Sequence, residues 1–446
     1  MVMEKLKLKD LLINSSKKEL EHLVENIHPV DVLEVLHELS NEKYPILDKL
    51  PDEFIAELIA EEDEENQYEI LEHFPKKRQS SILSEISSDE LADMLGYLDE
   101  DESSAIIEKL NEEDQKEVKQ LLSYEPETAG GIMATEFVSI RDHRTVKTTL
   151  EYMQKNVEDA EALYYLYIVD KEDHLKGVVS LRDIVTKPFD TPIRDLINPN
   201  VISIPYLMDQ EEVANIFEKY GFSMMPVVNE ENVILGVITV DDIMQIVKEE
   251  TTEDIHRLAG VDKEERVDST VAASIKSRIP WLCVNLLTAL LASYVVSRFE
   301  GTIAKVVTLA TIMPVVTGMG GNAGTQSMTI MIRGIALGEI DRKNGFRIFL
   351  KEFGVGIIAG GVIGILIALI GYFIEGNVVF GFVVGTAMLL NMTVATIAGF
   401  IIPCILKKLK IDPALASSVF VTTVTDIFGF LFFLGLATIF INQLLP

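Results

Sequence analysis

The amino-acid sequence predicts a multidomain membrane protein with an all-α helical-repeat N-terminal domain, an α/β pair of repeated units, a long connecting helix and a five-helix transmembrane domain. Three observations support this fold class. Residues 1–270 carry 27 Lys and Arg against 63 Asp and Glu, whereas residues 271–446 carry 12 against 7. Two different repeats lie in the acidic part, and five apolar segments fill the remainder. A strongly acidic surface attracts cations and does not suit nucleic acid, whose phosphates need basic partners.

Residues 1–130 are predicted to form the helical-repeat domain. Short amphipathic units follow Pro29, Pro51 and Pro75, so these prolines recur at spacings of 22 and 24 residues. A capping residue before apolar positions at i, i+3 and i+4 is a signal for the start of a helix. Short repeats of nearly constant period indicate a superhelical stack.

The second repeat lies in residues 131–255. Residues 177–184 (GVVSLRDI) match residues 236–243 (GVITVDDI) at an offset of 59 residues. Each copy predicts a strand, a turn with glycine, a second strand and a capped helix. This pattern resembles a tandem pair of CBS domains, at residues 131–195 and 196–247, a regulatory module often built to sense ligands such as adenine nucleotides.

Residues 248–278 form a charged segment before the first apolar segment. We predict that this segment is helical, and its location makes it the natural mechanical link between the sensor and the pore. The alternative is a passive spacer.

Five apolar segments predict a transmembrane domain over residues 279–446, with spans at about 279–299, 303–332, 353–374, 378–406 and 415–445. Lys and Arg are concentrated before the first span, between the second and third, and between the fourth and fifth. By the positive-inside rule, the N-terminus lies in the cytoplasm and the C-terminus outside, in a multi-pass protein of the inner (plasma) membrane.

The second span contains Pro314 and the glycine-rich stretch 318–327 (GMGGNAGTQS). Four glycines with Asn, Gln and Ser are unfavourable for a continuous helix, and non-helical backbone at membrane depth is tolerated only inside protein or beside water. The alternative is that the glycines allow close helix packing. Asn322 and Gln326 would share a face if the segment is helical, which favours a polar lining.

Asp426 is the only charged residue in the last span and lies near the midplane of the bilayer. A carboxylate there costs on the order of 2.5–3.5 kcal/mol on insertion scales. A site on an ion pathway and an interhelical hydrogen-bond anchor are the alternative roles. The fourth and fifth spans also contain side chains that carry oxygen atoms. Each of them alone is better explained by a hydrogen bond between helices, but together with Asp426 they make an oxygen-lined ion pathway plausible. They are Asn391, Thr393, Thr396, Thr422, Thr423 and Thr425.

The side chains of the apolar part point to a hard cation. All seven His residues precede residue 271, and Cys283 and Cys404 are far apart in sequence. A zinc or copper pathway would need clustered His, Cys or Met, whereas carboxylate, amide and hydroxyl oxygens suit hard cations. One Asp is too little to strip the water from Mg²⁺, so this ion would pass largely hydrated. The acidic part offers no phosphate-binding loop or nucleophile–base pair, which argues against an enzyme.

The order of a helical repeat, a CBS pair, a connector and five spans resembles the MgtE family of magnesium transporters. Residues 314–327 (PVVTGMGGNAGTQS), 412–417 (DPALAS) and 422–426 (TTVTD) carry this resemblance, which covers nearly the whole chain. It implies a homodimer in the lipid bilayer, with a pore between the two membrane domains and Asp426 as the main Mg²⁺ selectivity residue. The pore residues are then assigned as Asp426, Asn322, Gly321, Thr422 and Thr423.

The resemblance also implies that cytosolic Mg²⁺ binds between the acidic domains and closes the pore, and it leaves open whether ATP binds the CBS pair. Repulsion would separate the acidic domains when Mg²⁺ is scarce, and bridging Mg²⁺ would bring them together when it is abundant. The implied sensor residues are Asp89 and Asp93 in the helical domain, Asp242 in the second CBS domain, Glu250, Glu253 and Asp254 in the connector, and Asp412 at the membrane face.

The resulting hypothesis is a channel that passes hydrated Mg²⁺ into the cytoplasm down its electrochemical gradient and is closed by Mg²⁺ from inside. One alternative is a divalent cation carrier coupled to H⁺ or Na⁺ and regulated by the CBS domains, in which Asp426 cycles its protonation. Another is a receptor-like membrane sensor that moves nothing, with Asp426 as a packing anchor.

Overall fold

The computed structural model describes residues 5–156, 164–262, 265–267, 269–340, 343–415 and 417–445. The chain divides into two compact units between Val247 and Lys248.

The first unit opens with short helices that share one hydrophobic core, which includes buried side chains from Leu8 to Val118. Pro29 begins one helix, and Pro51 and Pro75 directly precede two others, which confirms the predicted starts. The helices are α1 (Lys5–Asn14), α2 (Lys17–Val24), α3 (Pro29–His37), α4 (Tyr44–Leu47), α5 (Asp52–Ala60), α6 (Glu64–Glu72), α7 (Lys76–Leu83), α8 (Ser88–Tyr97), α9 (Glu100–Ile107) and α10 (Glu112–Leu121).

Two small sheets with the same topology follow. In each sheet the first strand is parallel to the second, and the second is antiparallel to the third. The elements are β1 (Ser139–Arg141), α11 (Val146–Asn156), β2 (Tyr165–Val169), β3 (Leu175–Ser180) and α12 (Leu181–Thr186), then β4 (Ile204–Pro205), α13 (Gln210–Tyr220), β5 (Met224–Val228), β6 (Ile234–Thr239) and α14 (Val240–Ala259).

The sequence offset of 59 residues is kept in the strand register. Tyr167 is paired with Val178 in the first sheet, and Pro226 is paired with Val237 in the second. The register shift after Ile168 recurs 59 residues later, after Val227. The two copies of the repeat therefore share the strand pairing and the position of the register shift as well as the order of elements.

The second unit consists of α15 (Val271–Ser297), α16 (Glu300–Lys305), α17 (Thr308–Ala336), α18 (Gly345–Glu375), α19 (Val378–Lys408), α20 (Ser417–Ile439) and α21 (Ile441–Leu444), as far as its residues are described. Among the described helices, α15, α18, α19 and α20 are long and apolar enough to cross a membrane by length and composition. The 29-residue α17 is also long enough to span, but glycine and polar residues occupy its middle.

The glycine-rich stretch of α17 is helical throughout, so the expectation that it would be a poor continuous helix is wrong. Gly320 and Gly324 instead allow close packing, which was the alternative. A Cβ at Gly320 would collide with the side chain of Asn391 in α19, and one at Gly324 would lie 2.5 Å from Val421 in α20. Helix contacts thus stabilise a segment that its own propensity disfavours.

The charged segment 248–278 is not one helix. Its first part continues α14, which begins earlier than predicted, at Val240, and ends at Ala259. Gly260 follows with a φ of +71°, a conformation that suits glycine at the end of a helix. Residues 271–278 belong to α15.

Candidate ion pathway and regulatory acids

Asp426 lies close to the middle of α20 and is partly exposed. Within the described part of the chain, its carboxylate takes part in no hydrogen bond and no ion pair. An unpaired carboxylate at membrane depth is costly unless water or a cation reaches it. An interhelical anchor would need a hydrogen-bond partner, so the geometry favours the ion-pathway role.

Two faces of α20 differ in their surroundings. Val421, Thr425 and Gly429, spaced by four residues, are buried against α17 and α19. Thr422 and Asp426, also four apart, lie on a neighbouring face where Thr422 is exposed. The helix therefore buries one stripe in the bundle and leaves the side that carries Asp426 accessible.

The threonine hydroxyls near Asp426 donate to carbonyl groups of their own helix. Thr422 donates to Ser418 O at 2.8 Å, and Thr423 donates to Val419 O at 2.6 Å. Because each hydroxyl hydrogen is used inside the helix, oxygen lone pairs remain for a cation or for its water. Thr425 is fully buried and therefore lies off the accessible face.

Asn322 and Gln326 lie one turn apart on α17 and are both exposed, as a shared helical face requires. Gly318 and Gly321 lie on the same side. A Cβ added at either glycine would meet no described atom within 4 Å. Close packing within one chain does not explain these two glycines, which leave open space beside Asn322.

Two of the polar residues of α19, Asn391 and Thr396, are buried in the bundle and do not line an accessible path, whereas Thr393 is partly exposed. Asn391 is fully buried, and its Nδ2 donates to Val316 O in α17 at 2.9 Å. The hydroxyls of Thr393 and Thr396 donate to carbonyls of α19 itself. Burial therefore removes Asn391 and Thr396 from the predicted oxygen-rich path.

The structure also contains a buried acid that sequence reasoning missed. Glu352 of α18 is 3% exposed, and it accepts a hydrogen bond from Ser327 Oγ of α17 at 2.8 Å. The same hydroxyl lies 3.0 Å from Thr396 O of α19, and Lys351 Nζ lies 3.1 Å from the second carboxylate oxygen of Glu352. Glu352 thus links α18 to α17, and Ser327 extends the contact to α19. In the sequence, Glu352 directly precedes the predicted third span and resembles one partner of a surface ion pair.

In the first unit, Asp89 and Asp242 lie close enough for their charges to interact. Asp89 is in the first turn of α8 and is 8% exposed. Burial, followed by the negative charge of Asp242, raises the pKa of Asp89 to about 6. Its Oδ1 has no hydrogen-bond partner among the described residues. Burial also raises the pKa of Asp242, which accepts hydrogen bonds from Thr239 N at 3.1 Å and Thr239 Oγ1 at 2.5 Å.

Glu136 is a third acid near this pair. Its carboxylate accepts hydrogen bonds from Ser88 N at 2.9 Å and Ser88 Oγ at 2.7 Å, and its charge adds to the increase in the pKa of Asp89. Glu136 lies in an irregular segment without a motif, so no sequence signal marked it. Asp93 lies one turn after Asp89 on α8 and is exposed.

A second acidic group lies at the end of α14. Arg257 forms ion pairs with Glu253 in its own helix and with Asp412 in the connection between α19 and α20. Burial, followed by the charge of Asp412, raises the pKa of Asp254, whereas the Arg257 and Arg333 charges oppose this increase. The predicted residues Glu253, Asp254 and Asp412 are therefore neighbours. Glu250 lies one turn before Asp254 and is partly buried.

No three His, Cys, Asp or Glu side chains in the described ranges are arranged to hold a metal ion directly. In the first unit, the unpartnered Asp89 oxygen beside the Asp242 charge nevertheless fits a divalent cation or its water shell, because either would compensate the buried negative charge.

Family models match most of the chain. The MgtE intracellular N domain matches residues 6–127, the CBS domain matches residues 129–189 and 193–249, and MgtE, described as a divalent cation transporter, matches residues 313–436.

Two similar curated proteins are called magnesium transporter MgtE. That of Thermus thermophilus is 36% identical over 441 residues, 98% of this chain and 98% of that protein. That of Bacillus subtilis is 39% identical over 331 residues, 74% of this chain and 73% of that protein. Among solved structures, the cytosolic domain of the Mg²⁺ channel MgtE in complex with ATP is 35% identical, with a TM-score of 0.51, and the match covers 54% of this chain and 99% of that one.

Proposed function

Because the chain belongs to the MgtE family of magnesium transporters, we propose that it is a channel through which hydrated Mg²⁺ enters the cytoplasm down its electrochemical gradient, and that Mg²⁺ bound to its acidic residues closes it. Mg²⁺ is the ion that this family transports, and the protein is a membrane transporter and not an enzyme.

The observation that carries the proposal is the partly exposed Asp426 carboxylate, without a hydrogen bond or ion pair to any described residue, in the middle of a membrane helix. One carboxylate attracts a divalent cation without replacing its water shell. Hydroxyl oxygens of Thr422 and Thr423 and the exposed amide of Asn322 suit the outer waters of such an ion. The missing side chain at Gly321 leaves room for it.

The exposed polar face of α17 supports a pore between two copies of the chain. Asn322 and Gln326 are exposed in a single chain, yet lipid tails offer amide groups no hydrogen bonds. A second copy related by a two-fold axis would cover this face and bring two Asp426 carboxylates toward one hydrated Mg²⁺. In this homodimer the remaining apolar helix surfaces contact lipid.

Two groups of acids support closure by Mg²⁺. Asp89 and Asp242, with Asp93 nearby, would bind a divalent cation in the first unit, because it would offset the buried like charges. Glu250, Glu253, Asp254 and Asp412 would bind a second in the other unit. A ligand shifts an equilibrium only by its different affinity for two states, so these sites must bind Mg²⁺ more tightly in the closed state.

The same proposal includes the domain boundaries, the orientation of the chain in the membrane and the binding of ATP. The functional parts are the helical domain at 1–130, CBS domains at 131–195 and 196–247, the connector at 248–278 and the transmembrane domain at 279–446. The N-terminus lies in the cytoplasm and the C-terminus outside, in accord with the Lys and Arg distribution. ATP binds the CBS pair, by analogy with the related cytosolic domain whose solved structure contains ATP.

The test is Mg²⁺ influx into liposomes that contain the purified protein, measured with an encapsulated Mg²⁺-sensitive dye. Asp426→Asn is expected to abolish influx while dimer formation and thermal stability remain normal. Glu375→Gln, which removes an exposed acid at the end of α18, is the matched control and should transport normally. Unchanged influx in Asp426→Asn would refute the assignment.

The same assay separates the alternatives. A coupled carrier requires a H⁺ or Na⁺ gradient, so influx driven by the Mg²⁺ gradient alone excludes it. A sensor that moves nothing gives no influx even in the unaltered protein. Closure is tested by raising Mg²⁺ on the side that carries the acidic domains, where the proposal requires influx to fall.

A further inference from the structure

Arg257 lies in the last turn of α14 and bridges two acids from different parts of the second unit. Its Nη2 pairs with Glu253, one turn earlier in the same helix, and its Nη1 pairs with Asp412, which is 155 residues away in sequence. A planar guanidinium can serve two carboxylates through separate nitrogens, which the point charge of a lysine does less well.

These ion pairs are partly shielded from water. The Glu253 side chain is 13% exposed, and the Arg257 and Asp412 side chains are 27% and 29% exposed. Shielded pairs are screened less than pairs on an open surface, so both contribute to holding the end of α14.

Both oxygens of the Asp412 carboxylate are engaged. Oδ1 accepts a hydrogen bond from Ala414 N at 2.8 Å, which fixes the carboxylate in a turn just before α20. Oδ2 is paired with Arg257. A cation that takes Oδ2 as a ligand must therefore compete with the guanidinium.

The residue after Arg257 anchors the same turn of α14. Leu258 packs against a small apolar cluster formed by Met328 and Ile332 of α17, Ala414, and Val421 of α20. The position of Arg257 is thus set by packing against the helices that carry Asn322 and Asp426, and its bridge to Asp412 is not that of a freely moving surface side chain.

We propose that Arg257 is a built-in competitor of Mg²⁺: its guanidinium occupies the position between Glu253 and Asp412 that a regulatory Mg²⁺ takes, and it thereby sets the Mg²⁺ concentration at which the channel closes. This inference rests on the proposed closure by Mg²⁺ at these acids. Without Mg²⁺, Arg257 balances part of the charge of Glu253, Asp254 and Asp412. With Mg²⁺, the guanidinium is displaced and the divalent ion bridges the same carboxylates.

Competition by the guanidinium raises the apparent dissociation constant for Mg²⁺, and the size of this increase can be calculated. When a binding-competent form is only a fraction of the population, the apparent dissociation constant rises by the inverse of that fraction. Two partly exposed ion pairs shift such a population by about three- to tenfold in all. Removing the guanidinium is therefore expected to strengthen apparent Mg²⁺ binding by about three- to tenfold.

The experiment compares the full-length protein with Arg257→Gln, Arg257→Lys and Arg278→Gln in lipid nanodiscs. Hydrogen–deuterium exchange of the peptide that covers α14 is followed during Mg²⁺ titration, and influx is followed in liposomes. Arg278→Gln is the matched control, because it removes an arginine that pairs with Glu265 elsewhere in the unit.

Arg257→Gln is expected to lower the half-maximal Mg²⁺ concentration in both measurements by about three- to tenfold, with Arg257→Lys intermediate and Arg278→Gln unchanged. A half-maximal concentration in Arg257→Gln that is unchanged or higher than in the unaltered protein overturns the proposal, because Arg257 would then be only a tether. If the unaltered protein shows no influx, the proposed channel function fails, and the exchange titration still decides whether Arg257 competes with Mg²⁺.

Discussion

The buried carboxyl group of Asp89 allows a quantitative test of the acidic site in the first unit. Its pKa rises from the ordinary value of 3.8 to about 6. Because the folded protein binds this proton more tightly than the unfolded chain, the stability that Asp89 contributes is complete below about pH 4 and is lost as the pH rises through about 6. A difference of about two in pKa corresponds to about 3 kcal/mol, and solvent screening reduces this little, because Asp89 is 8% exposed.

Asp89→Asn keeps the size of the side chain and removes its charge. At pH 8 in EDTA, we expect the variant to be about 1–3 kcal/mol more stable to unfolding than the unaltered protein, with the difference shrinking as the pH falls toward 5. Mg²⁺ should stabilise the unaltered protein by mass action and stabilise the variant much less.

The assay is urea unfolding of the first unit, residues 1–247, at several pH values with and without Mg²⁺. Asp101→Asn, which alters an exposed acid in the first turn of α9, is the control and should change stability by less than about 0.5 kcal/mol. If Asp89→Asn is no more stable than the unaltered protein at pH 8 in EDTA, Asp89 does not carry the unfavourable buried charge that its raised pKa indicates.

Two further predictions concern packing in the second unit, and both are measured by thermal unfolding of the detergent-solubilised protein. Glu352→Ala removes a buried side chain and one of the two acceptors within reach of Ser327 Oγ, and it should cost about 1–3 kcal/mol. Glu352→Gln keeps an acceptor oxygen and should recover most of the loss, so equal losses in the two variants would contradict this. Gly320→Ala should destabilise the protein by about 1–3 kcal/mol, because its Cβ would meet the Asn391 side chain, whereas Gly354→Ala in α18, where a Cβ meets no described atom within 4 Å, should be neutral or slightly stabilising. Similar melting of the two variants would contradict the assigned packing.

The first unit could be predicted well because its signals are local. A proline at or before the first helical residue marks the start of a helix wherever the helix packs, and this held at Pro29, Pro51 and Pro75. The offset of 59 residues was visible as a motif, and it extends to strand register. It also extends to backbone conformation, because Asp173 and Asn232 both have a φ of 62°.

The packing of the glycine-rich stretch of α17 could be predicted only in part from the sequence. Its composition correctly indicated close packing as one alternative, but sequence could not show which glycines pack. Gly320 and Gly324 face α19 and α20, whereas Gly318 and Gly321 face open space. The rotation of α17 about its own axis makes this difference, and the neighbouring helices set that rotation.

The regulatory acids depend even more on distant contacts. Asp89 and Asp242 are far apart in the chain, and only a resemblance brought them together before the structure did. Nothing marked Arg257, because a basic residue in the last turn of a helix is already favoured by the helix dipole. Its second role depends on Asp412, which a turn near the start of α20 orients through Ala414 N. A basic residue whose position is already explained by the helix dipole can therefore also pair with an acid that is distant in sequence. Only the three-dimensional arrangement shows this second role.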